Sequence, residues 1–204
     1  MTVITCTSTI FIPFFVELLH LMTTNLAKLK ALIRNEPYLK GLVNKDGYTL
    51  PFICAWKDYS DAMQMFIDEN IDCNEVVKGT TIFHEAASFN SLETLKLLLR
   101  HKPDALNLQT KPKDTILHWA CSNKNIEIIG FLLGCDGIDV NIKNQFGYTP
   151  LHIGCLRNST KIVAMLLGHQ SIDICIKSNE KKLPEELTSD VNIKRMIRMK
   201  RSQK

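Results

Sequence analysis

Three histidines recur along the chain in the same local setting, and two of them form H-x-x-C pairs. His84, His118 and His152 each follow a threonine by three residues, and Cys121 and Cys155 complete the pairs. Histidine nitrogen and cysteine sulfur are ligands that zinc prefers. The three histidines belong to successive copies of one sequence motif, and helical units that stack side by side are roughly 10 Å apart. That distance is far beyond the ~2 Å bonds of a shared zinc ion. We therefore predict no metal and no cofactor.

A structural role suits the same histidines better. The threonine before each one can begin a helix, where its hydroxyl satisfies otherwise unpaired backbone N–H groups. The imidazole can then bond the neighbouring turn and tie successive repeats together, while the cysteine fills a small-residue position that Ala55 and Ala87 occupy in other copies. The predicted structural set is Thr81, His84, Thr115, His118, Thr149 and His152.

Catalytic patterns are missing from the sequence. It has no nucleophile–base pair, glycine-rich phosphate loop or paired carboxylates outside the repeated motif. The acidic residues are scattered at positions that the repeat leaves to solvent. We therefore predict that the protein is not an enzyme and has no small-molecule substrate.

Composition and charge are those of a soluble protein with a self-supporting core. The chain has 204 residues, of which 45% are hydrophobic and 23% charged. Its net charge is +4, but the segment from Asp190 onward carries +5, so the body sums to −1 and a nucleic-acid-binding body is disfavoured. Seven cysteines without a C-x-x-C pair predict reduced thiols and a cytosolic or nuclear location.

The apolar stretch from Val3 to Met22 raises the question of a leader or a membrane segment. It is interrupted by Pro13, Glu17 and His20, and no Lys or Arg precedes Lys28. A signal peptide needs a positive start, and a spanning helix needs a longer uninterrupted run. The sequence therefore predicts neither.

The chain repeats itself with a period near 34 residues. Four motif copies contain Thr49, Thr81, Thr115 and Thr149, which are 32, 34 and 34 residues apart, and a decayed fifth copy covers 183–187. Each full copy continues with a short helix, a polar turn and a longer helix whose apolar residues recur at three- and four-residue spacing. This pattern predicts helix-turn-helix units stacked into a solenoid.

The repeat resembles the ankyrin repeat, with its G-x-T-P-L-H-x-A-A pattern. The best match is Gly147-Tyr148-Thr149-Pro150-Leu151-His152, and Ile138-Asp139-Val140-Asn141 matches the distal part of the repeat. The resemblance covers roughly residues 14 to 190 and implies an all-α ankyrin solenoid with hairpin-like loops. Phe52 replaces the motif histidine in the first clear copy, so we expect that repeat to be the most distorted.

The predicted organisation follows from the repeat boundaries. It comprises an N-terminal extension (1–13), a degenerate repeat (14–45), four ankyrin repeats (46–78, 79–112, 113–146 and 147–180), and a degenerate capping repeat with a basic tail (181–204). Either residues 1–12 cover the apolar first repeat, or further repeats precede it. The basic tail caps the stack by default, and an import signal or a contact with acidic lipid or nucleic acid remains compatible with that role.

The family resemblance implies a scaffold or adaptor that binds a protein partner. Residues 117–122 with 127–129, and the ending from 174 to 196, are also similar to gankyrin-type proteins, which chaperone assembly of the proteasome regulatory particle. An assembly chaperone and a transcription-factor inhibitor both fit. The alternative is a regulatory or targeting ankyrin module of a larger enzyme or channel, of which this chain is a fragment. We expect a monomer without a membrane span.

The concave face of such a stack, formed by hairpin tips and first helices, is its binding surface. The repeat leaves free the positions before each threonine and after the small-residue pair, and large aromatic or arginine residues there are typical of binding hot spots. The predicted protein-binding residues are Tyr48, Trp56, Lys57, Glu85, Phe89, Asp114, Trp119, Asn123, Phe146, Tyr148 and Arg157.

Overall fold

The computed structural model describes residues 11–73 and 76–202 and confirms an all-α stack of helical hairpins. The helices are α1 (Phe11–Thr24), α2 (Leu26–Asn35), α3 (Leu50–Lys57), α4 (Ser60–Asp68), α5 (Ile82–Ser88), α6 (Leu92–His101), α7 (Ile116–Asn123), α8 (Ile126–Leu133), α9 (Pro150–Leu156), α10 (Thr160–Gly168) and α11 (Val191–Arg201). Single 3₁₀ turns lie at Pro37–Gly41, Pro103–Asn107 and Pro184–Leu187, and β1 (Val76–Val77) pairs with β2 (Thr80–Thr81) in an antiparallel hairpin.

First helices stack on first helices, with α3 against α5, α5 against α7 and α7 against α9. Small residues allow this close approach: Ala86, Ala120 and Cys155 are fully buried. A methyl group added at Gly154 would lie 3.1 Å from the side chain of Ile162 in α10, so the glycine also lets the two helices of one repeat pack closely. The small-residue positions of the motif are thus set by helix packing.

A left-handed residue reverses the chain at the end of the first helix. Asn90 and Asn158 take φ values of +60° and +47°, which asparagine tolerates. Lysine is less suited than asparagine to the left-handed conformation, yet Lys124 adopts φ +60° at the equivalent place. The packing of α7 and α8 therefore imposes a backbone conformation that lysine disfavours.

The hairpin tips are joined to one another by backbone hydrogen bonds. The N–H of Gln145 donates to Pro112 O at 2.9 Å, and the N–H of Asn179 donates to Phe146 O at 3.1 Å. Within one tip, the side-chain oxygen of Asn144 accepts the N–H of Phe146 at 3.0 Å and closes the turn. These bonds hold successive tips in register.

The two ends of the stack differ from its middle. Helix α1 begins at Phe11, inside the segment predicted as an extension, while residues 1–10 and what they cover lie outside the described residues. At the other end, the decayed fifth copy forms only the 3₁₀ turn Pro184–Leu187, and α11 closes the stack by burying Ile193 and Ile197. Within the described ranges, none of the helices is both long and apolar enough to cross a bilayer.

Candidate protein-binding face

The motif histidines connect one repeat to the next. Nδ1 of His118 accepts the backbone N–H of Thr115 at 3.1 Å and lies 2.8 Å from its hydroxyl. Nε2 of the same ring lies 2.9 Å from the carbonyl oxygen of Tyr148 in the following repeat. A carbonyl can only accept, so Nε2 carries a proton, and Nδ1 carries none because it accepts the Thr115 N–H. The ring is therefore neutral. His152 repeats the arrangement, with Nε2 at 3.3 Å from the carbonyl oxygen of Lys182.

Burial keeps these rings uncharged. It lowers the pKa of His84 to about 4, and it also lowers the pKa of His118 and of His152. Both nitrogens of each ring are engaged in hydrogen bonds, so neither is available to a metal ion. In the described part of the chain, no three His, Cys, Asp or Glu side chains are grouped as a metal site.

Not every motif threonine caps its helix, although the sequence predicted that each would. The hydroxyl of Thr115 accepts the N–H of His118 at 3.4 Å, as expected of a cap. The predicted cap is wrong for Thr81, whose hydroxyl instead lies 2.8 Å from Nδ1 of His84. Thr49 has Phe52 at the histidine position, and its buried hydroxyl has no hydrogen-bond partner in the described structure. The threonine is therefore chiefly a partner for the imidazole.

An aromatic cluster fills the boundary where that histidine is missing. The ring centroids of Tyr48 and Trp56 are 4.4 Å apart in an edge-to-face arrangement, and those of Trp56 and Phe89 are 6.0 Å apart. The ammonium group of Lys78 lies 4.7 Å from the centroid of Tyr48. Tyr48 and Trp56 are half-buried, whereas Phe89 is 56% exposed. Only Phe89 of this cluster offers a large free apolar surface.

A groove of about 500 Å³ lies in the middle of the concave face. It brings together five of the predicted binding residues with six other residues: Asp114, Trp119, Asn123, Phe146 and Tyr148, joined by Ser88, His118, Ser122, Asn144, Ile153 and Leu156. Phe146 and Leu156 are 56% and 42% exposed, and Trp119 and Tyr148 form half-buried walls. We refer to these eleven residues as the central groove.

The other predicted binding residues lie at the edges of the face. The guanidinium of Arg157 donates to the hydroxyl of Ser122 at 2.7 Å and so lies beside the central groove. Lys57 lies instead in a second, mostly apolar cavity of about 410 Å³ between α1 and α3, beside Trp56. Glu85 is buried, and its two oxygens accept hydrogen bonds from the Trp56 indole N–H at 3.0 Å and from the Thr80 hydroxyl at 2.7 Å. It is therefore engaged within the chain.

Several groove residues were not in the set predicted from the sequence. Leu156 follows the small-residue pair of its repeat, which is one of the positions that the sequence indicated as free. Asn144 could not be identified in this way, because its role depends on the stacking of two tips. Its amide donates to a carboxylate oxygen of Asp114 in the preceding tip at 2.8 Å.

The family comparison agrees with this architecture. The model of ankyrin repeats (3 copies) matches residues 19–107 and 102–178, which is most of the chain. A comparison with curated proteins gave no match. The chain belongs to the ankyrin-repeat family, whose repeats are protein–protein interaction modules and generally non-catalytic.

Proposed function

We propose that this protein is a non-catalytic adaptor that holds a protein partner in the central groove. The observation that carries the proposal is the exposure of Phe146 and Leu156 beside the half-buried rings of Trp119 and Tyr148. Exposed apolar side chains gathered in a concavity are typical of interaction sites, and aromatic residues dominate binding energies there.

The polar part of the groove supports the same proposal. The hydroxyls of Ser88 and Ser122 and the amide of Asn123 lie among the apolar walls. Asn123 already donates to Ser88 at 3.3 Å and to the carbonyl of Trp119 at 3.0 Å. Groups of this kind can exchange such surface bonds for bonds to the backbone of a partner chain.

Location and role belong to the same proposal. We place the protein in the cytosol or nucleus, because Cys121 and Cys155 are free thiols and the sequence has no disulfide framework. Burial raises the pKa of both, that of Cys155 to about 12, so they are inert as thiols. A gankyrin-like assembly chaperone and a transcription-factor inhibitor are both compatible with the groove.

A second candidate role rests on the surface of α1. Val16 is 57% exposed and lines the apolar cavity between α1 and α3. An apolar surface at this end of the stack would suit contact with a neighbouring domain, as in a regulatory or targeting module of a larger enzyme or channel.

The experiment is affinity purification followed by cross-linking of the captured partner. The variant Phe146→Ala/Leu156→Ala removes exposed side chains of the groove and should leave folding intact. The control Val191→Ala/Met199→Ala truncates two exposed apolar residues of α11, which are 76% and 54% exposed. We expect the wild type and the control to capture the same protein, cross-linked at the groove, and the groove variant to lose it. Retention by a folded groove variant would overturn the proposal.

A further inference from the structure

The tips of the five loops, residues 44–48, 76–80, 110–114, 144–148 and 178–182, carry exposed charged side chains. Lysines lie on the first, second, third and fifth tips, where they are Lys45, Lys78, Lys111 with Lys113, and Lys181 with Lys182. The fourth tip follows the exposed Lys143 but has no lysine of its own, and its Phe146 lines the central groove. Backbone hydrogen bonds join the second to the fifth tips in sequence, and the ammonium group of Lys78 lies 4.7 Å from the Tyr48 ring on the first tip, so these side chains form one row. We call it the tip row.

The acidic side chains on the tips are fewer than the lysines, and some of them are engaged within the chain. A carboxylate oxygen of Asp114 accepts the amide of Asn144, and the carboxylate of Glu180 is paired with Lys182 at 2.7 Å. Glu85, farther back, is buried and bonded on both oxygens. Asp46 is exposed on the first tip, beside Lys45. The row therefore presents mainly positive charge, although the body of the chain is nearly neutral overall.

Two of these lysines occupy positions where lysine is a poor local choice. Lys113 and Lys181 have φ values of +62° and +61°. Each lies two residues before the position of the motif threonine, which Leu183 occupies in the fifth copy. Gly79 and Gly147 occupy the equivalent position in other repeats, with φ values of +85° and +75°. Glycine adopts this conformation without strain, whereas lysine does not.

We infer that the partner presents an extended, acidic segment that runs along the tip row and places one apolar residue in the central groove. This inference rests on the proposed function and names its chemistry. Successive tips are about 10 Å apart, and an extended chain advances about 3.3 Å per residue, so roughly every third residue of the partner faces a tip. The pattern requires acidic side chains opposite the lysine tips and an apolar side chain opposite Phe146.

A polypeptide fits these observations better than a nucleic acid. The tip row is interrupted by an apolar tip, and its neighbouring groove is lined by Leu156, Ile153 and Trp119. A phosphate backbone would favour continuous charge along the row, whereas alternating acidic and apolar residues match the interruption. Ammonium groups attract carboxylates without fixing their orientation, which suits an extended and variable segment.

The test is selection of binders from a display library of random linear peptides. It is performed in parallel on the wild type, on Lys113→Gly/Lys181→Gly and on the control Lys124→Gly. Both variants replace lysine at positive φ by glycine, so both should unfold at higher urea concentration than the wild type. Lys124 lies at the far end of α7 from the tips. Reduced binding by the double variant therefore cannot be attributed to a loss of stability.

We expect the wild type and Lys124→Gly to enrich peptides with acidic residues around one apolar residue. The double variant should bind the enriched peptides about tenfold more weakly at low salt, and the difference should shrink as salt screens the charges. Enriched peptides without acidic residues, but lost on Phe146→Ala, would overturn this inference and leave the proposed function standing. A failure to enrich any peptide would count against both. Tighter binding of an oligothymidylate probe, weakened by the same lysine changes, would assign the row to nucleic acid instead.

Discussion

Trp56 donates its indole N–H to a carboxylate oxygen of Glu85 at 3.0 Å, across the boundary between α3 and α5. At this boundary Phe52 takes the place of the histidine that joins later repeats through a carbonyl bond. The hydroxyl of Thr80 holds the other oxygen of the carboxylate at 2.7 Å. The tryptophan–glutamate bond thus supplies the side-chain link that the missing imidazole would otherwise make.

Replacing Trp56 by phenylalanine should destabilise the protein by about 1–3 kcal/mol, because one oxygen of a buried carboxylate loses its partner. The measurement is urea unfolding followed by circular dichroism. Glu85→Leu completes a double-mutant cycle, in which we expect a coupling energy of about 1 kcal/mol. Additive losses would show that the bond contributes nothing beyond packing. Trp119→Phe, which removes the other indole, serves as the control.

Thr49→Val should leave stability unchanged or raise it by about 1 kcal/mol. The substitution removes a buried hydroxyl that has no partner, and valine nearly matches threonine in shape. The matched variant Thr115→Val removes a hydroxyl that lies 2.8 Å from Nδ1 of His118, and it should cost about 1–2 kcal/mol. Equal losses in the two variants, measured by urea unfolding, would contradict the assignment of the threonine to the imidazole.

The buried imidazoles should make stability fall in mild acid. The pKa of His84 is lowered from an ordinary value near 6.5 to about 4, so the unfolded chain binds a proton between these pH values and the folded chain does not. The contribution of His84 is complete above about pH 6.5. As pH falls toward 4 it is lost at about 1.4 kcal/mol per pH unit. His118 and His152 act in the same direction.

Urea unfolding at pH 7.5 and at pH 5 measures this dependence. We expect the wild type to lose at least about 2 kcal/mol between them, and His84→Gln to lose less because the group that titrates is gone. His101→Gln, the same substitution at an exposed histidine, is the matched control. The ion pairs of Glu69 do not contribute to the difference between pH 7.5 and pH 5, since Arg34 and Lys30 lower the pKa of Glu69 to about 2. Their contribution is complete above about pH 4.5 and is lost only as pH falls toward 2. An unchanged slope in His84→Gln would be the contradicting outcome.

The features that the sequence predicted are those that recur within it. The spacing of the threonine–histidine pairs predicted the stacked hairpins and the link from His118 to the next repeat, because both depend on contacts that each repeat makes in the same way. The order of the motif also predicted that Trp119 and Tyr148 lie on one face, and they line the same groove; binding of a partner there stays a prediction.

The features that it did not predict depend on one particular pair of neighbouring repeats. The bond between Trp56 and Glu85 joins residues 29 positions apart, and neither position is fixed by the motif. The burial of Glu85 follows from that bond, so it could not be separated from exposed candidates. The left-handed conformation of Lys124 opposes its local preference and arises only from helix packing.

Gly147 is the glycine whose replacement should be most damaging. A Cβ added there would lie 2.5 Å from the side-chain oxygen of Asn179 and 2.6 Å from its backbone nitrogen, and φ is +75°. That nitrogen donates to Phe146 O and holds the last two tips together. Gly147→Ala should therefore lower the free energy of unfolding by at least about 3 kcal/mol, combining strain with steric overlap.

Gly137→Ala is the control, since φ is +83° but nothing lies within 4 Å of the added carbon. Its cost should be only the strain of about 1–2 kcal/mol. Similar losses in urea unfolding would mean that the tips do not approach as closely at Gly147 as this geometry requires.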